Sequence, residues 1–193
     1  MSEGPGTTPT TTTTPAATAA KRSGTRNLVE WVVVIVCALL VAFVVKTFLF
    51  QAFYIPSPSM TPTLQIDDRV LVNKLSYDIH GVERGDLVVF RSPQPAAPEK
   101  DLIKRVVGLP GDTLEGRDGH VMVNGEPLEE SYLPDGVQTG TFGPVEIAPD
   151  HYWVMGDNRS NSSDSRVFGA VAESQIIGKA FVKVWPIGSF RLL

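Results

Sequence analysis

From Leu28 to Phe50 the chain reads LVEWVVVIVCALLVAFVVKTFLF, and no charge or polar break interrupts it between Trp31 and Val45. A helix of about 23 residues reaches roughly 35 Å, enough to cross a bilayer. The run is apolar on all sides, whereas a core helix is shorter or one-faced. A cleavable signal peptide carries a small-x-small site after its apolar region. This chain continues with the bulky KTFLFQAFYIPS instead. The pattern therefore predicts an uncleaved anchor over 27–50. Lys21, Arg22 and Arg26 precede the run and only Lys46 closely follows it. Positive charge marks the cytoplasmic side, so the expected topology is single-pass, with the N-terminus in the cytoplasm and everything after residue 50 outside it.

Beyond the apolar run the periodicity changes. RVLVNKL, DLVVF, DLIKRVV, HVMVNG, HYWVMG and GKAFVKVW are short, Val-rich and bounded by turn residues, the signature of strands. Asn124-Gly125 is a strong hairpin signal, because both residues tolerate the positive φ of a type I′ turn. No long amphipathic helix or internal repeat follows residue 50. The expected fold is all-β: an antiparallel, partly closed domain hung from one N-terminal helix.

Residues 1–26 are low in complexity, with TTPTTTTTPAATAA followed by KRSGTR. Such a composition buries no core, so a disordered cytoplasmic tail is expected. The remaining chain, residues 51–193, has the size of one ordinary domain. The formal net charge of -4 offers no electrostatic footprint for nucleic acid. The single cysteine, Cys37, excludes an intrachain disulfide and a cysteine-rich metal site.

Common catalytic signatures are missing: there is no G-x-S-x-G, H-E-x-x-H, Walker loop or C-x-x-C. His80 and His120 sit beside turn glycines and His151 precedes a strand, so nothing places a histidine near an activated serine. Four segments remain. In YIPSPSMTPTL, residues 54–64, three prolines predict a stiff, extended loop, and Pro58 restricts the direction of Ser57. Taken alone, the segment reads more readily as a rigid spacer. RGDLVVF, residues 84–90, reads as turn and buried strand. In DLIKRVVGLPGD, residues 101–112, alternation puts Lys104 between Leu102 and Val106 on one face. A lysine desolvated there has a lowered pKa and acts as a general base; one on an edge strand reaches water. One strand does not decide between them. VMGDNRSNSSDSRVFG, residues 154–169, is crowded with short hydrogen-bonding side chains, as a polar turn or a tied-down site requires. Asp164 and Arg166 are spaced to brace that loop.

Together, PSPSMTPTL, RGDLVVF, IKRVVGLPGD and GDNRSNSSDSR resemble the ordered motifs of bacterial type I signal peptidases, following an N-terminal anchor as in that family. The resemblance covers residue 28 to the C-terminus. It implies a membrane-bound serine endopeptidase that removes signal peptides from exported preproteins, cutting after small residues, without a metal or cofactor. It implies Ser59 as nucleophile and Lys104 as general base. Ser57 and the N–H of Ser59 would form the oxyanion hole, and Ser162 would orient the lysine. Asp164 and Arg166 would brace the loop that Gly156, Asp157 and Asn158 begin. The implied partners are signal peptides of exported preproteins and the lipid bilayer, with the secretion translocon nearby. Between Lys104 and Gly156 the span is short, so the accessory β region, at about 113–148, should be small.

Two residues depart from the family pattern. Pro58 stands where the family usually has glycine, and Ser160 where an acidic residue often follows Gly-Asp-Asn-Arg. Proline lacks an N–H, but the donor that the hole needs belongs to Ser59. Two other readings compete: a self-cleaving repressor relative with a similar dyad, and an anchored β-domain that binds a partner and has lost catalysis. The first carries a DNA-binding domain, and this chain carries an apolar run and no basic face. Pro58 is the only support for the second.

Overall fold

The computed structural model describes residues 23–44, 49–94 and 99–193. The expected tail lies outside the described residues up to position 22, as do residues 45–48 of the expected anchor. The chain divides into two compact units, 1–42 and 43–193. The first contains most of helix α1, Ser23–Val44, whose apolar side chains from Leu28 to Phe43 are exposed. The helix starts inside the stretch read as tail, because once nucleated it gains a hydrogen bond for each residue added. No helix among the described residues is long and apolar enough to cross a membrane. Phe50, read as the end of the apolar run, begins a strand instead.

The second unit is built from antiparallel strands. β1 (Phe50–Tyr54), β2 (Arg69–Asn73), β3 (Leu87–Arg91), β4 (Asp101–Gly108) and β9 (His151–Met155) join β10 (Val171–Ala172), β11 (Ile176–Trp185) and β12 (Arg191–Leu192) in one sheet. Its order is β1-β2-β11-β3-β4-β9-β10, with β12 paired to β11. Register shifts interrupt the β11–β2, β11–β3 and β4–β9 ladders, as β-bulges that bend strands do. β5 (Thr113–Arg117), β6 (His120–Val123), β7 (Glu126–Pro127) and β8 (Phe142–Glu146) form a separate sheet in the order β7-β6-β5-β8. Asn124 and Gly125 turn β6 into β7 with φ of 53° and 90°. The expected all-β, partly curled architecture is what the second unit adopts.

Alternating apolar residues explain the packing. Val70, Val72, Leu87, Val89 and Ala180 meet Ile55, Met60 and Leu64 in one buried cluster. Val88, Phe90, Val106 and Val154 form a second cluster with Val82, Tyr152 and Val171. A third cluster, with Leu114, Val121, Ile147 and Trp153, ties the small sheet to the ends of β4 and β9. Ring stacking of Phe142 on Trp153, 5.5 Å apart, reinforces it. The helices after β1 are short: α2 (Ser76–Ile79) and α3 (Ser165–Phe168).

Candidate active site

Ser59 lies at the middle of a 3-10 turn, Pro58–Met60, rather than in an extended loop. Ser57, just before it, is extended, with φ -130° and ψ 156°, as a residue preceding proline should be. Proline is favourable as the first residue of such a turn, where its missing N–H has no partner to lose. The turn closes because Ile55, Met60 and Leu64 drop into the first core cluster and pull the chain inward. Thr61 seals it, donating from its N–H and its Oγ1 to the Pro58 carbonyl at 3.1 and 2.9 Å. Pro58 therefore fits the local geometry, which removes the one feature that favoured a binding module without catalysis.

Lys104 is near the middle of β4, between β3 and β9, and faces Val88 in register. The Ser59 turn packs over this face of β4, so the Lys104 ammonium is withdrawn from water; the residue is 3% exposed. Its Nζ donates to Ser59 Oγ at 2.7 Å and to the Ile103 carbonyl at 3.0 Å. Desolvation lowers the Lys104 pKa to about 8, against the opposing pull of Asp164, Glu99 and Asp157. Burial is the dominant cause, since it disfavours the charged form. Ser57 Oγ is 3.4 Å from Ser59 Oγ. Ser57, Ser59 and Lys104 share a cleft whose apolar walls include Ile55, Val89 and Ile103. No histidine lines it; His80 and His120 are exposed, and His151 lies against the Pro149 carbonyl.

The segment after β9 fastens the Ser59 turn to the sheet. Asn158 donates from its backbone N–H to the Ser59 carbonyl at 3.0 Å. Its Nδ2 donates to the Pro58 carbonyl and to Thr61 Oγ1 at 3.2 and 3.0 Å. Asp157, fully buried, accepts two bonds from Arg105, at 2.9 and 2.7 Å, and one from Thr63 Oγ1 at 2.5 Å. Gly156 passes so close to the turn that a Cβ there would lie 2.5 Å from the Ser59 carbonyl oxygen and 2.2 Å from Ser162 Oγ. Ser162 Oγ is buried beside the Asp164 carboxylate, which it helps to keep charged, and has no closer partner among the described residues. Lys104 finds its second partner in the Ile103 carbonyl.

Asp164 and Arg166 form a two-bond ion pair, at 2.8 and 2.7 Å. Asp164 also accepts from the Gly156 N–H at 2.9 Å, and Arg166 reaches the Arg159 carbonyl at 2.8 Å. Burial works to raise the Asp164 carboxyl, but the Arg166 guanidinium and the Gly156 N–H overrule it and hold it below 3.8. Arg105, Thr61, Thr63 and Arg159 are supports that the sequence did not reveal. Arg105 points away from Lys104 along the strand, and its partner lies 52 residues on, with nothing local to announce the pairing.

The arrangement can deprotonate a serine without a histidine, in a cleft lined by Ser57, Ser59 and Lys104. Comparison with known proteins agrees. The family model for "Signal peptidase, peptidase S26" matches residues 28–185. A Synechocystis sp. protein named "Probable signal peptidase I-2" is 44% identical over 164 residues, 82% of this chain and 73% of that one. "Signal peptidase I" of Leptolyngbya laminosa is 42% identical over 168 residues, 83% of this chain and 81% of its own. "Signal peptidase I P" of Bacillus subtilis subsp. natto is 36% identical over 175 residues, 86% of this chain and 93% of its own. A match that runs through the segments holding Ser59, Lys104 and the Gly156–Arg166 loop places this chain in the signal peptidase family, as a bacterial-type signal peptidase I.

Proposed function

We propose that the chain, a serine endopeptidase that removes signal peptides from exported proteins, works through Ser59 as nucleophile and Lys104 as general base. The 2.7 Å contact between buried Lys104 Nζ and Ser59 Oγ carries this reading. With a pKa of about 8, about one Lys104 in ten is neutral at pH 7, compared with about one in three thousand at the ordinary value. In the neutral form the hydrogen bond reverses, and Ser59 O–H donates to the Nζ lone pair.

Ser59 Oγ then attacks the scissile carbonyl carbon and its proton passes to Lys104. The oxyanion is stabilised by Ser57 Oγ–H and the Ser59 N–H, donors fixed before the reaction begins. As the second residue of a 3-10 turn, Ser59 has an N–H without an acceptor inside the turn. Collapse of the tetrahedral intermediate returns the proton to the leaving amine, the new N-terminus of the mature protein. Water, deprotonated by Lys104, next attacks the acyl ester and frees the signal peptide. Ser162 is assigned to orienting Lys104 on the resemblance alone, since Nζ bonds Ser59 Oγ and the Ile103 carbonyl, and Asp164 with Arg166 is assigned to bracing the loop. Gly156, Asp157 and Asn158 hold the Ser59 turn. A narrow apolar cleft supports small side chains before the cut.

The family's membrane association and the apolar run support a finer topology. The apolar segment that begins at residue 27 and ends before β1 crosses the bilayer once, residues 1–26 remain cytoplasmic, and the domain from β1 onward works outside, close to the translocon. Within that domain, 113–148 is the accessory β region. Exposed Trp185, Ile187, Phe190 and Leu192 give the domain an apolar edge suited to the lipid surface. Ser59→Ala and Lys104→Ala should each abolish cleavage of a preprotein while the domain stays folded by circular dichroism. Cleavage retained in either variant sinks the dyad.

A further inference from the structure

The loop between β7 and β8 reaches out of the small sheet and grips two arginines, Arg105 of β4 and Arg159 of the segment after β9. The Tyr132 ring lies under the Arg105 guanidinium, 3.9 Å from its centre. Tyr132 OH donates to Glu130, and Glu130 takes Arg159 in a two-pronged ion pair, one bond at 2.8 Å. Arg159 is 1% exposed and Glu130 10%, so this pair is shielded from solvent screening. Arg159 goes on to the Thr139 hydroxyl at 2.6 Å and the Gly156 carbonyl at 3.2 Å. Arg105, which follows Lys104 on its strand, holds Asp157. Both arginines thus have one end in the Gly156–Asn158 segment, against the Ser59 turn, and the other on Glu130 or Tyr132.

We infer that Glu130 and Tyr132 are positioning residues for the peptidase reaction: the small sheet holds Arg105 and Arg159 so that Ser59 and Lys104 keep their 2.7 Å contact. This rests on Lys104 being the general base. Neither residue touches the cleft, so losing one should slow the chemistry and leave substrate binding alone. A misplacement of about 1 Å transmitted to the dyad is worth about a hundredfold in rate.

The test uses the full chain in detergent and a preprotein substrate, with kcat and KM measured separately and thermal melts in parallel. Tyr132→Ala removes ring and hydroxyl, Tyr132→Phe removes the hydroxyl alone, and Glu130→Gln removes the charge while keeping the shape. Val121→Ala loosens the same sheet at its fully buried core without touching the grip. Tyr132→Ala and Glu130→Gln should lower kcat about tenfold or more with KM within about twofold, and Tyr132→Phe should stay within about threefold of wild type. Val121→Ala should keep wild-type kcat wherever it is folded. The inference is overturned by wild-type kcat in Tyr132→Ala, or by an equal loss in Val121→Ala. Should Tyr132→Ala fail to fold, Glu130→Gln decides, and wild-type kcat there overturns it. Lys104→Ala separates the two readings. Cleavage by that variant removes the dyad and this inference together. A dead Lys104→Ala beside fully active grip variants removes this inference alone.

Discussion

Gly156→Ala is a one-methyl perturbation whose consequences follow from the coordinates. The added Cβ would sit 2.5 Å from the Ser59 carbonyl oxygen, and 2.2 and 2.6 Å from Ser162 Oγ and Cβ. Ser162 can turn its hydroxyl aside, but the Ser59 carbonyl is backbone, held by the Asn158 N–H at 3.0 Å. To regain an ordinary contact of about 3.4 Å, the Ser59 turn must retreat by roughly 0.9 Å or Gly156 must shift away from it. Overpacking of this kind costs about 1–3 kcal/mol. For a domain of this size, that lowers the melting temperature by roughly 2–12 °C. The catalytic effect is of comparable size in free energy: with Ser59 and Lys104 as the proposed nucleophile and base, a serine moved by most of an ångström leaves its base, and about ten- to a hundredfold in kcat should go. Single-turnover cleavage of a saturating preprotein measures the chemical step directly, and a thermal melt of the same sample reads the stability cost. A folded Gly156→Ala enzyme with kcat within twofold of wild type would refute the reasoning, since the nucleophile would then tolerate displacement.

Two other predictions concern the supports. Pro58→Gly should keep kcat within about threefold, because the turn's first N–H has no structural task, yet lower stability by about 0.4–1 kcal/mol through a freer unfolded chain; urea midpoints read the second effect. Asp164 has its carboxyl held below 3.8 in the folded state, so its contribution to stability is present above the unfolded value and lost as pH falls through the folded one. Asp164→Asn should therefore be less stable than wild type in urea at neutral pH, with the gap closing in strong acid. An undiminished gap at low pH would contradict the ion pair's role.

Much of the large sheet was legible because β2, β3, β4, β9 and β11 lie on short apolar runs bounded by turn residues, continuous in β3 and β9. The small sheet was only half visible. β5 contributes a single fully buried large side chain, Leu114, and needs Gly116 where a Cβ would meet the Gly140 carbonyl at 2.4 Å. A strand of that composition signals a turn as readily as a ladder. Proline spacing gave the direction of Ser57 but not the 3-10 turn after it. That turn is set by the burial of Met60 and Leu64, a tertiary effect. Lys104 was ambiguous for a similar reason: alternation names its face, while only its neighbours β3 and β9 make the strand central. Resemblance named the dyad residues. The Arg105–Asp157 and Arg159–Glu130 pairs stayed hidden, because a charged side chain does not say which distant partner it meets.

The pH dependence of kcat/KM for preprotein cleavage tests the central claim most directly. For the free enzyme it reports the ionisation of the general base. As the proposed general base, Lys104 would act only when neutral, so the rate should climb about tenfold per pH unit through the acid range and level off above an apparent pKa of about 8. A limb centred near 6.5, the range of an ordinary histidine, or a profile flat from about pH 6 to pH 9, would contradict the account.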